Sequence, residues 1–227
     1  MPRGLAINIS WFSIVMIVLS FADLKTVFAD CEFKQHHPRV ALVIGNSRYQ
    51  YVGELPNAVN DARDIARVLK AYEFSVLERL DLNHKQMQDA VNCFAHTLQQ
   101  EGVGLFYYAG HGVQIGDRNY LLPADFRLTQ INPAEQVQRF SIQANKVLGL
   151  FDAAKTKTNI IILDACRNNP FRSLSRSLND AQITREMIQI ADKNGLAPML
   201  APPGSFIAFA TDPGSFFTPI VICPGLC

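Results

Sequence analysis

Apolar runs alternate along this chain with stretches whose apolar residues recur every three or four positions. Residues 39–44 (RVALVI) are almost continuously apolar and end in Gly45-Asn46, which predicts a strand buried on both faces and closed by a turn. Residues 74–80, 103–108 (VGLFYY), 159–163 (NIIIL) and 206–210 predict further strands, and 120–122 a short extended piece closed by Pro123. Between them the period changes. Pro56-Asn57 opens a helix whose inner stripe is Ala58, Ala62, Ile65 and Leu69, with Asp61 and Asp64 early in it, where the helix dipole favours carboxylates. Asn83 caps a second helix with Met87, Val91, Phe94 and Leu98 facing inward, and residues 142–153 predict a third.

Strands that alternate with helices pair in parallel, and both faces of such a sheet must be covered. The predicted fold class is therefore α/β: a three-layer sandwich with a mainly parallel central sheet between helices. Ligands of such sheets bind beyond the carboxyl ends of the strands. Two segments start there and carry chemistry: Ala109-Gly110-His111-Gly112 after the third strand, and Asp164-Ala165-Cys166 after the fourth. A histidine or cysteine alone in such a place is ordinarily structural, and Cys93, near the inner side of the second helix, is read as packing. What points to catalysis is His111 and Cys166 together at two rigid strand ends. A thiol is mostly protonated at neutral pH; an imidazole beside it takes the proton, leaves a thiolate nucleophile and returns the proton to the leaving amine. Gly110 and Gly112 are expected to let the backbone approach a substrate closely, and the N–H groups of Gly112 and Cys166 to hold the oxyanion of a tetrahedral intermediate.

Composition narrows the classes. Of 227 residues, 48% are hydrophobic and 18% charged, which suffices for a packed core over most of the chain. A formal charge of +1 argues against nucleic-acid binding through a basic surface. Polypeptide substrates are the expected partners; the oligomeric state is not legible. Arg3, the apolar run 11–22 (WFSIVMIVLSFA) and Val27-Phe28-Ala29 have the three parts of an export signal, with cleavage expected after Ala29 and a periplasmic or secreted product. A membrane-spanning helix needs roughly 20 apolar residues, so an uncleaved anchor is the alternative, and the membrane enters only through this segment. The cysteines (Cys31, Cys93, Cys166, Cys223 and Cys227) are odd in number, which leaves a thiol unpaired within the chain, and no Cys-x-x-Cys suggests a redox protein. Cys223 and Cys227 have no histidine cluster beside them, no oxygen-rich loop demands calcium, and Gly102-x-Gly104 lies inside a strand rather than ahead of a helix. No cofactor and no metal are expected.

Tyr107-Tyr108-Ala109-Gly110-His111-Gly112 and Leu163-Asp164-Ala165-Cys166-Arg167-Asn168-Asn169-Pro170 resemble the two signature strings of bacterial metacaspase-like proteins, members of the caspase-like clan of cysteine peptidases. Residues 39–46 (RVALVIGN) and 55–62 (LPNAVNDA) are similar to that family's opening strand and first helix, and the likeness extends from about residue 39 to 212. Caspases place the histidine about 50 residues before Ala-Cys; here the gap is 55 (166 − 111). The resemblance implies a caspase-like fold with His111 as base and Cys166 as nucleophile. It also implies cleavage after Arg or Lys, with Asp61 and Asp164 lining the pocket for that side chain, where caspases that cut after aspartate carry Gln in place of Asp164. Two carboxylates can hold a guanidinium through paired charge-assisted hydrogen bonds.

The implied organisation is a signal peptide over 1–29, a leader over 30–38, a catalytic domain over 39–171, a linker over 172–204, the start of a smaller part over 205–215, and an atypical tail over 216–227. Arg172, Arg176, Arg185 and Lys193 offer sites for self-cleavage in the polar linker. The tail (FFTPIVICPGLC) departs from the family, whose members continue through a polar loop, a helix and further strands. The smaller part is thus expected to be incomplete, and a non-catalytic binding or scaffold protein is the alternative function.

Overall fold

The computed structural model describes residues 37–128, 132–165, 171 and 195–210. In chain order the elements are β1 (Arg39–Gly45), α1 (Ala58–Ala71), β2 (Ser75–Leu80), α2 (His84–Thr97), β3 (Val103–Gly110), β4 (Gly112–Ile115), β5 (Arg118–Leu121), α3 (Pro133–Phe140), β6 (Ile142–Gln143), α4 (Ala144–Ala154), β7 (Thr158–Ala165) and β8 (Ser205–Phe209). Five strands form a wholly parallel sheet in the order β2-β1-β3-β7-β8. The strand expected over 206–210 extends this same sheet beside β7.

Successive side chains of a strand point to opposite faces, and the two faces are filled differently. Ala41 and Val43 of β1 and Leu105, Tyr107 and Ala109 of β3 meet Ala58, Ala62 and Ala66 of α1. The small residues let the helix lie close: a Cβ on Gly45 would stand 2.6 Å from Ala62 Cβ and 2.7 Å from Ala58 O. On the other face Phe94 of α2 meets Phe151 of α4 edge-on, with ring centroids 5.7 Å apart. Gly104 leaves room there for Leu98 and Phe151, which is why this glycine interrupts an apolar strand. The α/β/α layering expected from the sequence is what the chain adopts. Asn83 caps α2 as expected, accepting from Gln86 N–H at 2.9 Å while the Gln86 side chain accepts from Asn83 N–H at 3.0 Å.

Some expectations need correction. β3 and β7 each run two residues beyond their apolar strings because the ladder continues through Ala109↔Asp164 and Gly110↔Ala165. A second, antiparallel sheet, β4-β5-β6, follows His111 directly. The helix expected over 142–153 begins at Ala144, since Ile142 and Gln143 pair with β5. The helix α3 was not predicted: only Pro133 and Val137 in it are buried, too few for an apolar stripe. The segments expected as export signal, leader, self-cleavage sites and tail fall outside the described residues, apart from residues 37–38, and no described helix is long and apolar enough to cross a membrane.

Candidate active site

The rim beyond the carboxyl ends of β1 and β3 is a built structure with its own core. Tyr49, Val52, Val113, Tyr120, Leu122, Phe126, Val137 and Phe171 pack together beneath it. Asn46, fully buried, ties three loops: its Nδ2 donates to Leu122 O at 3.2 Å, its Oδ1 accepts from Leu82 N–H at 2.9 Å, and its own N–H donates to Ala109 O at 2.9 Å. Asp81 accepts from Ser47 N–H (2.8 Å), Arg48 N–H (2.9 Å) and Arg48 Nε (2.8 Å), and these bonds hold its carboxyl below the usual carboxylate range against the opposing effect of burial. The loop between β1 and α1 closes on itself through Leu55 N–H donating to Ser47 O at 3.0 Å.

That loop cradles His111, which is 5% exposed. The imidazole Nε2 stands 2.6 Å from Gly53 O. A carbonyl can only accept, so Nε2 carries the proton. The neutral ring then keeps a lone pair on Nδ1, which is buried and has no hydrogen-bond partner. The ring lies against Tyr49, centroids 4.5 Å apart. His111 N–H donates to Tyr49 Oη at 2.7 Å, and His111 O accepts from Tyr108 Oη at 2.7 Å. The two hydroxyls approach to 3.2 Å, and both reach Leu122 O, at 3.3 Å from Tyr49 and 2.9 Å from Tyr108. Burial lowers the His111 pKa, with the Gly53 bond opposing in part, so the imidazole is neutral at pH 7 and able to accept a proton.

The glycines on either side of His111 are both closely packed. A Cβ on Gly110 would meet the Tyr108 and Tyr49 hydroxyls at 2.5 and 2.6 Å, so this glycine makes room for the tyrosines rather than for a substrate. Gly112 faces Leu196 Cδ2 at 2.9 Å and Ala165 Cβ at 3.0 Å from the position a Cβ would take. Leu122 N–H donates to His111 O at 2.9 Å, which makes 111/122 a bonded pair and Gly112/Leu121 the following non-bonded pair. The ladder therefore leaves the Gly112 N–H unconsumed. Buried Asn119 pins the segment carrying Leu196, donating from Nδ2 to Ala197 O at 2.8 Å and accepting from Ala197 N–H at 2.6 Å.

Cys166 lies outside the described residues. Its described neighbours are anchored: Ala165 ends β7 as the register partner of Gly110, and Phe171 is buried against Phe126, centroids 5.8 Å apart. On the opposite face of the sheet Asp164 shares its side with Tyr107, whose hydroxyl donates to Asp164 Oδ2 at 3.1 Å. Burial raises the Asp164 pKa, opposed in part by the Tyr107 bond. Asp61 on α1 is raised by burial and then by the Asp164 and Asp64 charges. The two carboxyls therefore sense each other, and among the described residues neither meets a cationic side chain within ion-pair distance. The Tyr107 phenol is pushed far up by burial and by both carboxylates, so it stays protonated and acts as donor.

Tyr49, Gly53, Tyr107, Tyr108 and Asn119 were not among the expected site residues. Tyr107 and Tyr108 stand in an apolar strand, Tyr49 stands among polar residues with no pattern to mark it, and the Gly53 contribution is a backbone carbonyl, which no side-chain pattern reveals. Cys93, expected to pack, is disulfide-bonded.

A family model described as the caspase domain matches residues 38–217. The chain is 29% identical over 151 residues to the human mucosa-associated lymphoid tissue lymphoma translocation protein 1, covering 66% of this chain and 18% of that protein. The mouse homolog is also 29% identical, with 66% and 17% covered. The chain thus spans less than a fifth of the length of these curated relatives. Among solved structures, protein GSU0716 of Geobacter sulfurreducens is similar at TM-score 0.48 and 16% identity, over 76% of this chain and 72% of that one. The Drosophila initiator caspase Dronc is similar at TM-score 0.40 and 11% identity, over 59% and 53%.

Proposed function

Since the chain belongs to the caspase domain family, a family of cysteine peptidases, we propose that it is an endopeptidase in which Cys166 is the nucleophile and His111 the base, cutting after arginine or lysine. The observation that carries this reading is the setting of His111. Its bare Nδ1 lies one residue beyond Gly110, and Gly110 is the register partner of Ala165, the residue before Cys166. In the proposed reaction the Cys166 thiol gives its proton to His111 Nδ1, and the thiolate attacks the scissile carbonyl carbon. The S–C bond forms as the carbonyl π electrons move to oxygen, and the N–H groups of Gly112 and Cys166 donate hydrogen bonds to the resulting oxyanion. His111 returns the proton to the leaving nitrogen, the C–N bond breaks, and an acyl-thioester remains. Water then attacks the thioester carbon as His111 takes its proton, the C–S bond breaks to release the new acid, and His111 returns the proton to the Cys166 sulfur.

The specificity reading rests on Asp61 and Asp164, two neighbouring carboxylates without a cationic partner among the described residues. A guanidinium or ammonium would supply the missing positive charge. Fluorogenic peptides that differ only in Arg, Lys or Asp before the cut bond test both parts. Turnover of the Arg and Lys peptides, abolished in Cys166→Ala, is the expected result. Turnover of the Asp peptide would sink the pocket assignment, and activity that survives Cys166→Ala would sink the nucleophile.

A further inference from the structure

β3 carries two consecutive tyrosines on opposite faces, and the one facing His111 meets a third, Tyr49, from the β1–α1 loop. Tyr49 touches His111 twice by different means. Its hydroxyl accepts the His111 N–H at 2.7 Å, and its ring lies 4.5 Å from the imidazole, tilted by 55°. Tyr49 is also, with Val52, a buried anchor of the loop that ends in the orienting carbonyl. It is 5% exposed and stands four residues before Gly53, inside the turn closed by Leu55 N–H and Ser47 O. Gly53 by contrast is exposed, and nothing lies within 4 Å of where its Cβ would be, so no packing of its own holds it in place. The carbonyl that selects the His111 tautomer therefore depends on an anchor elsewhere in the loop.

We propose that Tyr49 is a positioning residue for the reaction: by clamping the His111 backbone and ring while anchoring the loop that presents Gly53 O, it keeps the proton on Nε2 and the Nδ1 lone pair turned toward the nucleophile. The inference rests on the peptidase reading for its purpose and on the hydrogen bonds, the ring contact and the burial of Tyr49 for its geometry. Tyr108 has a different part. Its hydroxyl holds His111 O and Leu122 O, at 2.7 and 2.9 Å, from within β3, and meets the loop that carries Gly53 at the Tyr49 hydroxyl, 3.2 Å away.

The test is the nitrogen NMR spectrum of the His111 imidazole in the full chain, assigned by its loss in His111→Gln, together with peptide turnover. Tyr49→Phe keeps the ring and its volume. Wild type should show one tautomer, with Nε2 protonated. Tyr49→Phe should show a mixture of tautomers, and kcat should fall about ten- to a hundredfold with KM within about twofold, the scale set by a misplaced catalytic group. Tyr108→Phe loosens the same rim and is the control for general softening; its tautomer should match wild type. An unchanged spectrum in Tyr49→Phe, a wild type protonated on Nδ1, or an equal mixture in both variants would each overturn the proposal. If the tautomer responds as expected but wild type cleaves no peptide, the clamp stands and the peptidase reading falls. If wild type cleaves and Tyr49→Phe matches it in both readouts, the clamp falls alone.

Discussion

Gly45→Ala links the stability of this fold to its specificity. The added Cβ would lie 2.6 Å from Ala62 Cβ, 2.7 Å from Ala58 O and 3.1 Å from Val59 Cα. Carbon atoms prefer separations of about 3.5–4.0 Å, so α1 must move off the sheet by roughly 1 Å at its first turn. Overpacking of this kind costs about 1–3 kcal/mol. At about 2–4 °C per kcal/mol for a domain of this size, the melting temperature should fall by about 2–12 °C. Asp61 rides on that turn, between Ala58 and Ala62, where it feels the Asp164 charge, and the proposed pocket needs both carboxyls. KM for an arginine peptide should therefore rise, while alkylation of Cys166 by iodoacetamide, which makes no use of the acidic pair, keeps its rate. Ala62→Gly removes one of the two closest contacts but not the Ala58 carbonyl, so Gly45→Ala should cost less, though not nothing, in that background. Thermal melts of the four proteins measure the cycle. A Gly45→Ala chain that melts with wild type and keeps its KM would refute the claim that this glycine sets the helix height.

Further outcomes follow from the same geometry. Tyr107→Phe removes the bond that opposes burial at Asp164, so the Asp164 carboxyl rises further and the acid limb of arginine-peptide binding should move to higher pH. Asp164→Asn should raise the melting temperature at neutral pH. A carboxyl whose folded pKa lies above its unfolded value burdens the fold above that pKa, and the burden lifts as pH falls through it, so the gap to wild type should close in acid. Asp81 has the opposite sign: its lowered pKa contributes stability above the unfolded value of about 3.9, lost as pH falls through the folded value. Asp81→Ala, which strands the Ser47 and Arg48 N–H groups, should cost about 1–3 kcal/mol in urea melts at neutral pH. Asn119→Ala strands both the N–H and the C=O of Ala197 beside Leu196 and Gly112, and should cost a similar amount, about 1–3 kcal/mol.

The apolar runs and helical stripes were enough for the layer order, because each pattern admits one way of burying itself. A continuous run such as residues 39–44 demands cover on both faces, and the alanines of α1 provide it on one of them. That β3 and β7 end side by side was legible too, since parallel strands deliver their carboxyl ends to one rim. The antiparallel sheet after His111 was not: β4 and β5 are four residues each, and β6 is two, too short for an alternation to register.

Sequence by itself thus determined the class of fold and the rim at which β3 and β7 end side by side. Only the tertiary structure decided what each residue does at the rim. Tyr107 and Tyr108 are neighbours of the same kind, yet the pleat turns one to Asp164 and the other to His111. The proton on His111 Nε2 is set by the carbonyl of Gly53, 58 residues earlier. Pattern records which side chains must leave water; it holds no record of backbone groups, or of which face a strand turns toward a neighbour, and the chemistry of this site depends on both.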